Sequence, residues 1–364
     1  MSKPLSAVDC IGPAFTQTKE QLFSPFRFQR WTRLALVCLI LGDFAGGGGG
    51  SPGGFNFPVS HSKSGKTLFA IPNIDWDRVL PWLPWIATGI ALVLVLFFLW
   101  IYIASVYRFV LFDSVLHNRC ELKGCWRRWE PRGRSFFFWC LAIIVGFLAA
   151  YAVLIGAPLL VAWQAGLFRH PGEHVVTLIF GGIAMLLLIL TFFVAGAVAV
   201  LFAKDFCVPI MALENVGVLD AWRRLLPMLA VEKMAFTGYV LMKIVLSIGS
   251  AIIFGIITII TLIALLIPLG IIALIVFFGG KALGLSLDVA TVSILVLLGG
   301  IILMGIIYLI ALISTPAMVF FQSYVLHFLG SRYPALGAEL FPPPPENPPP
   351  PILDGPPMLA PSIG

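Results

Sequence analysis

The stretch WLPWIATGIALVLVLFFLWIYIASVYRFVLF, Trp82 to Phe112, carries no charged residue before Arg108. A helix rises about 1.5 Å per residue, so roughly 20 apolar residues cross the ~30 Å hydrocarbon core of a bilayer, and this run is longer than that. Four comparable runs follow, at Phe136 to Trp163, Val175 to Ala203, Ala235 to Phe278 and Val289 to Ile313. The chain therefore reads as an all-α, polytopic integral membrane helical bundle.

Composition leads to the same class independently. With 60% hydrophobic and 11% charged residues and a mean hydropathy of +1.01, a water-soluble domain could not cover its surface with polar groups. The 364 residues divide into a cytoplasmic N-terminal arm (1–30), a transmembrane domain (31–333) with an external glycine-rich loop (45–75), and a disordered proline-rich tail (334–364). In the tail, Pro342 to Pro345 and Pro348 to Pro351 impose extended polyproline II geometry, a stiff spacer. The N-terminus has no basic region leading straight into an apolar core and a small-residue cleavage site, so no removable signal is read. The net charge of +6 sits beside the apolar runs, where it sets orientation and meets anionic head groups; the partners expected are membrane lipids, and no nucleic acid.

Lysine and arginine collect before the first apolar segment (Lys19, Arg27, Arg30, Arg33) and after Phe112 (Arg119, Lys123, Arg127, Arg128, Arg132, Arg134), which places both regions in the cytoplasm. Both termini then lie inside, the span count is even, and the short Leu34 to Phe44 becomes the first of about six spans. If that segment only lies in the interface, the count is five. Ala235 to Phe278 reads as a long tilted span ending near Pro268, followed by a re-entrant segment, with two closely turned spans as the alternative. The last span is expected to continue past Pro316 into Met318 to Leu329, which leaves the membrane as an interfacial helix.

Few residues suggest chemistry. His170-Pro171-Gly172-Glu173-His174 has the letters of an H-x-x-E-H zinc site, but Pro171 and Gly172 oppose the helix such a site needs. Ser64-Gly65-Lys66-Thr67 resembles the end of a phosphate loop, yet Ser60 stands where the first glycine is required and Pro72 interrupts the following helix. The six cysteines form no zinc or disulfide pattern and read as small buried hydrophobes. No catalytic, metal or cofactor site is assigned. On the fifth span Lys243, Ser247, Ser250, Thr258 and Thr261 recur on one helical face, with Tyr239 nearby. This polar stripe is read first as helix packing and second as a lined cavity, with Lys243 snorkelling to the interface. No acid, arginine or histidine is placed deep in any span.

Between the fourth and fifth spans, Lys204 to Glu214 is read as a cytoplasmic connection. The residues Val218, Trp222, Leu225, Leu226 and Leu229 then share a face of an amphipathic interfacial helix. Trp222, Arg223 and Arg224, with Arg127 and Arg128, are the candidate lipid or interface contacts. The pattern Val208-Pro209-Ile210-Met211-Ala212-Leu213-Glu214-Asn215-Val216-Gly217, followed by Ala221-Trp222-Arg223-Arg224, resembles the signature of an uncharacterised bacterial multi-spanning family. That family is more distantly similar to the membrane domain of glycerophosphodiester phosphodiesterases. Phe26 to Leu41, Phe55-Asn56-Phe57-Pro58 and Arg108 to Asp113 agree with it. The resemblance implies a six-helix bundle in the bacterial inner membrane, without phosphodiesterase activity, since no catalytic domain follows. The leading functional expectation is a non-catalytic protein of membrane organisation, lipid handling or partner assembly. A transporter using the fifth-span stripe comes second, a membrane hydrolase third.

Overall fold

The computed structural model describes residues 4–24, 27–42, 81, 83–117, 122–166, 175–282 and 288–340. The glycine-rich loop, the two motifs at 64–67 and 170–174, Cys120 and the proline repeats lie outside these residues. The chain order is α1 (Ile11–Phe23), α2 (Phe28–Leu41), α3 (Leu83–Leu116), α4 (Leu122–Gln164), α5 (Val175–Phe202), a π-helical turn (Ala203–Cys207), α6 (Val208–Glu214), α7 (Val218–Val231), α8 (Lys233–Ala282), α9 (Val289–Gly330) and α10 (Pro334–Leu340). Five stretches are long and apolar enough to cross a membrane: α3, α4, α5 with its continuation to Glu214, α8 and α9. At 14 residues, or about 21 Å, α2 is shorter than a bilayer-spanning helix requires.

Each long helix has two unlike halves. The C-terminal half of α3, the start of α4, the end of α5, the start of α8 and the C-terminal half of α9 come together in one core containing Phe109, Phe136, Phe206, Tyr239 and Phe328. The opposite halves stay apart, and large apolar side chains such as Val95, Leu160, Phe180, Ile260 and Val296 are more than half exposed. In each span at most 11% of the most apolar window is buried within the protein. Successive long helices thus run up and down, all anchored at one end. Helix α8, with 50 residues, is about 75 Å long, more than twice the hydrocarbon thickness.

The expected end near Pro268 is absent: Pro268 lies inside α8, which continues through it, and α9 continues past Pro316 as expected. Proline removes one ladder bond, and in an apolar setting breaking the helix altogether would strand more backbone groups than the proline does. Met318 to Leu329 is accordingly no surface helix; Val319, Tyr324, Val325, Leu326, Phe328 and Leu329 are in the centre of the core. The helical domain also continues past Tyr333, since α10 follows and Leu336 is fully buried. The N-terminal arm is likewise structured: α1 packs on α9, and the Tyr324 hydroxyl donates to the Ala7 carbonyl at 3.0 Å.

Polar side chains close backbone gaps at the packed end. Pro316 cannot donate to the carbonyl one turn back, that of Leu312, and the Trp31 indole N–H donates to it instead at 3.1 Å. Trp100 donates to Ile40 in the last turn of α2 at 2.6 Å, and Gln21 to Val115 at the end of α3 at 2.5 Å; both carbonyls belong to helix termini, where the ladder has run out. Trp31→Phe should cost about 1 kcal/mol, the net worth of one such bond. In a Pro316→Ala background, which restores the missing donor, the same change should cost less; equal losses in both backgrounds, by thermal unfolding in detergent, would contradict this account.

Candidate functional site

The site grows from a local defect at the buried end of α5. Pro209 has no N–H to return to the carbonyl of Asp205, and the ladder widens just before it: the Val208 N–H donates to Ala203, five residues back. The turn Ala203–Cys207 is consequently π-helical, and all its residues but Lys204 are buried. Such a turn adds a residue to the helix and shifts the following side chains around its axis. Asp205 thereby enters the packed core, a burial that reading Lys204 to Glu214 as a cytoplasmic connection does not reveal.

Two groups one turn apart on α8 meet Asp205. The Lys243 ammonium lies 2.5 Å from Oδ2 and the Tyr239 hydroxyl donates to the same oxygen at 2.9 Å. The side chains of Lys243 and Asp205 are 4% and 8% exposed, so Lys243 does not snorkel; its charge is neutralised inside the protein. Aromatic rings enclose the pair. Tyr239 stacks on Tyr324 at 5.4 Å and lies 4.7 Å from Phe328, while Phe206 packs on Phe236 and Tyr239 at 5.3 and 5.0 Å. The cluster joins α5, α8 and α9 through charge and ring contacts at once.

A second ion pair closes the rim. Arg332, just beyond α9, lies 2.7 Å from Glu232 at the α7–α8 joint, and its guanidinium stacks 4.0 Å above Phe328. Cys10, at the start of α1, is buried beside this rim, and burial pushes its thiol up to about 11, with Arg332 the main opposing influence. It behaves as a small hydrophobe. Cys10, Cys38, Cys125, Cys140 and Cys207 are all free thiols. Among the described residues no three His, Cys, Asp or Glu side chains gather in a metal-binding group.

The other sequence-selected residues fall into separate places. On α8 only Lys243 of the stripe joins the cluster. Ser250 donates to Ser247 at 3.0 Å and Thr261 to Ile257 at 2.7 Å, both within their own helix. On α7, Val218, Ala221 and Leu225 are buried, but Leu226 is 54% exposed and lies off that face. Trp222 sits against the Trp139 ring at 6.2 Å, and Arg224 pairs with Glu214. Arg223 points outward, 79% exposed with an exposed Asp220 at 3.3 Å. Arg127 and Arg128 are exposed on the first turns of α4, with Arg128 lying 5.1 Å over Trp129. These arginines form a basic rim around the packed end, while the buried ion pair lies inside it.

A family model described as a family of unknown function (DUF7544) matches residues 5–338. The chain belongs to the DUF7544 family. The matched region takes in every helix from α1 to α9 and most of α10, so the DUF7544 unit is the packed end and its five long helices together. No curated protein and no solved structure matches the chain. The comparisons give no support to a likeness between this DUF7544 protein and the membrane domain of glycerophosphodiester phosphodiesterases.

Proposed function

We propose that this protein is a non-catalytic integral membrane protein of the bacterial cytoplasmic membrane that gathers anionic lipid around its packed end, which faces the cytoplasm. The observation that carries the reading is the one-sided placement of arginine. Every arginine among the described residues lies at the packed end or on the elements that build it. Each uncovered apolar half is at least about as long as the hydrocarbon core is thick, and that of α8 is about twice as long. Basic residues at one edge of an apolar layer favour the cytoplasmic side and attract anionic head groups. Helices α1 and α10 belong to the same packed end, which supports placing both ends of the domain in the cytoplasm.

Helix α7 supports lipid contact in particular, because its outer side combines exposed Leu219, Leu226 and Arg223. An exposed apolar residue next to an outward arginine suits the boundary between acyl chains and phosphates. In detergent, added phosphatidylglycerol should raise the unfolding temperature more than phosphatidylcholine does. Arg223→Glu with Arg128→Glu should remove most of that difference while leaving lipid-free stability nearly unchanged. Equal stabilisation by the two lipids, or solute flux through reconstituted vesicles that falls on Ser250→Leu, would displace this reading in favour of a structural or transport role.

A further inference from the structure

Between α2, α3 and α4 runs a groove of about 760 Å³, lined by Leu39, Leu96, Leu99, Trp100, Tyr107 and Trp126 among others. Its two ends differ in chemistry. Along α3 the lining extends from Tyr107, in the packed end, to Leu96, in the half whose side chains are exposed; this is about 16 Å of helix. The packed end of the groove carries Tyr107 and Trp126, ring systems that suit the head-group level, and beyond Trp100 the other end is lined by Leu96 and Leu99. Such a gradient matches an amphiphile lying along the membrane normal.

Charge lies at the matching end. On α4, Trp126, Glu130 and Phe137 share the face turned to Tyr102, with ring separations of 6.3 Å for Trp126 and 5.6 Å for Phe137. Arg127 and Arg134 are about a quarter-turn round from that face, two turns apart on one flank, and both are exposed. Arg134 lies within electrostatic reach of the Tyr102 hydroxyl. Glu130, the acid on this rim, accepts a long 3.5 Å contact from that hydroxyl, and two arginines against one carboxylate give the rim a net positive charge.

We propose that this groove holds one acyl chain of an anionic glycerophospholipid, whose phosphate is bound by Arg127 and Arg134. The proposal rests on the lipid reading above but concerns a different surface, since α7 and Arg223 take no part in it. Its recognition elements are a hydrocarbon slot of bounded length and two arginines at its polar mouth, which together select a lipid with an anionic head over a neutral one.

The test is photocrosslinking in nanodiscs with phosphatidylglycerol carrying a diazirine on its acyl chain, followed by peptide mapping. Adducts are expected to concentrate on Leu39 and on Leu96 to Ile103. They should fall about tenfold in Arg127→Ser with Arg134→Ser, the order expected for removing two basic residues from an anionic site. Leu99→Trp, which narrows the slot without touching charge, should lower them as well, and the phosphatidylcholine analogue should label these positions weakly. Adducts spread evenly over all the exposed helix halves in every variant, meaning surrounding lipid only, would overturn the proposal. So would exchange-protected groove residues crosslinked to another segment of this chain. In either case the lipid-dependent unfolding temperature and its response to Arg223→Glu report separately on the broader reading.

Discussion

Asp205→Ala should lower the unfolding free energy in detergent by about 3–5 kcal/mol, the usual cost of leaving one partner of a buried ion pair without the other. The loss exceeds that of the pair itself because Lys243 remains in place, 4% exposed and ringed by aromatic side chains, where an uncompensated ammonium is costly. Asp205→Asn combined with Lys243→Met should stand within about 1 kcal/mol of the parent. The asparagine still offers the Tyr239 hydroxyl an acceptor, and the methionine fills the volume of the lysine stem. The double substitution thereby separates two roles: if it is as unstable as Asp205→Ala, the charges themselves hold α5 to α8. If it is stable yet loses its preference for phosphatidylglycerol, the buried pair also governs the shape of the basic rim outside it.

Gly133→Leu should lose about 3 kcal/mol, at the upper end for forcing bulk into a packed helix contact. A Cβ at Gly133 would lie 2.9 Å from the Cα of Val106 and 2.5 Å from its Cγ2, so α3 and α4 must separate to admit it. Even Gly133→Ala should be destabilising, although alanine in place of glycine favours a helix by about 1 kcal/mol. Gly196→Ala is the comparison. There the atoms nearest the new methyl all belong to the ring of Phe147, the far end of a side chain that can turn aside, and the helix preference should leave stability equal or improved. Thermal unfolding of the two alanine variants should therefore move in opposite directions; a shared direction would mean that the α3–α4 approach adapts as readily as a side chain.

Much of the fold was legible because the solvent imposes it. Without water to pair with the backbone, an apolar run of bilayer length can only be a helix, and Trp82 to Phe112 needed no partner to be read. The stripe on α8 also drew attention to Lys243 and Tyr239 through their four-residue spacing. Asp205 was misread for a local reason. Next to Lys204, at the end of an apolar run and four residues before Pro209, it has the surroundings of a helix end. The proline instead widens the helix by one residue without ending it, and only the arrival of α8 across the core shows where the carboxylate goes. Leu226 was placed on the wrong side of α7 because an apolar residue inside a helix with two neighbours, protein and membrane, belongs to either; spacing alone does not choose.

The span end expected near Pro268 is absent, and α9 runs through Pro316, for a related reason. A proline's effect depends on whether another group can serve the carbonyl it abandons, and at Leu312 that group is Trp31, from a helix far away in sequence. The sequence by itself determined the solvent, the helical class and the side on which charge collects, since these follow from run length, the cost of unpaired backbone and the position of arginines. Tertiary structure alone decided that the five long helices share one packed end, that Asp205, Lys243 and Tyr239 meet there, and that α2, α3 and α4 leave a groove between them. Those features depend on distances between residues remote in the chain, set by how ring, methyl and glycine surfaces fit against one another.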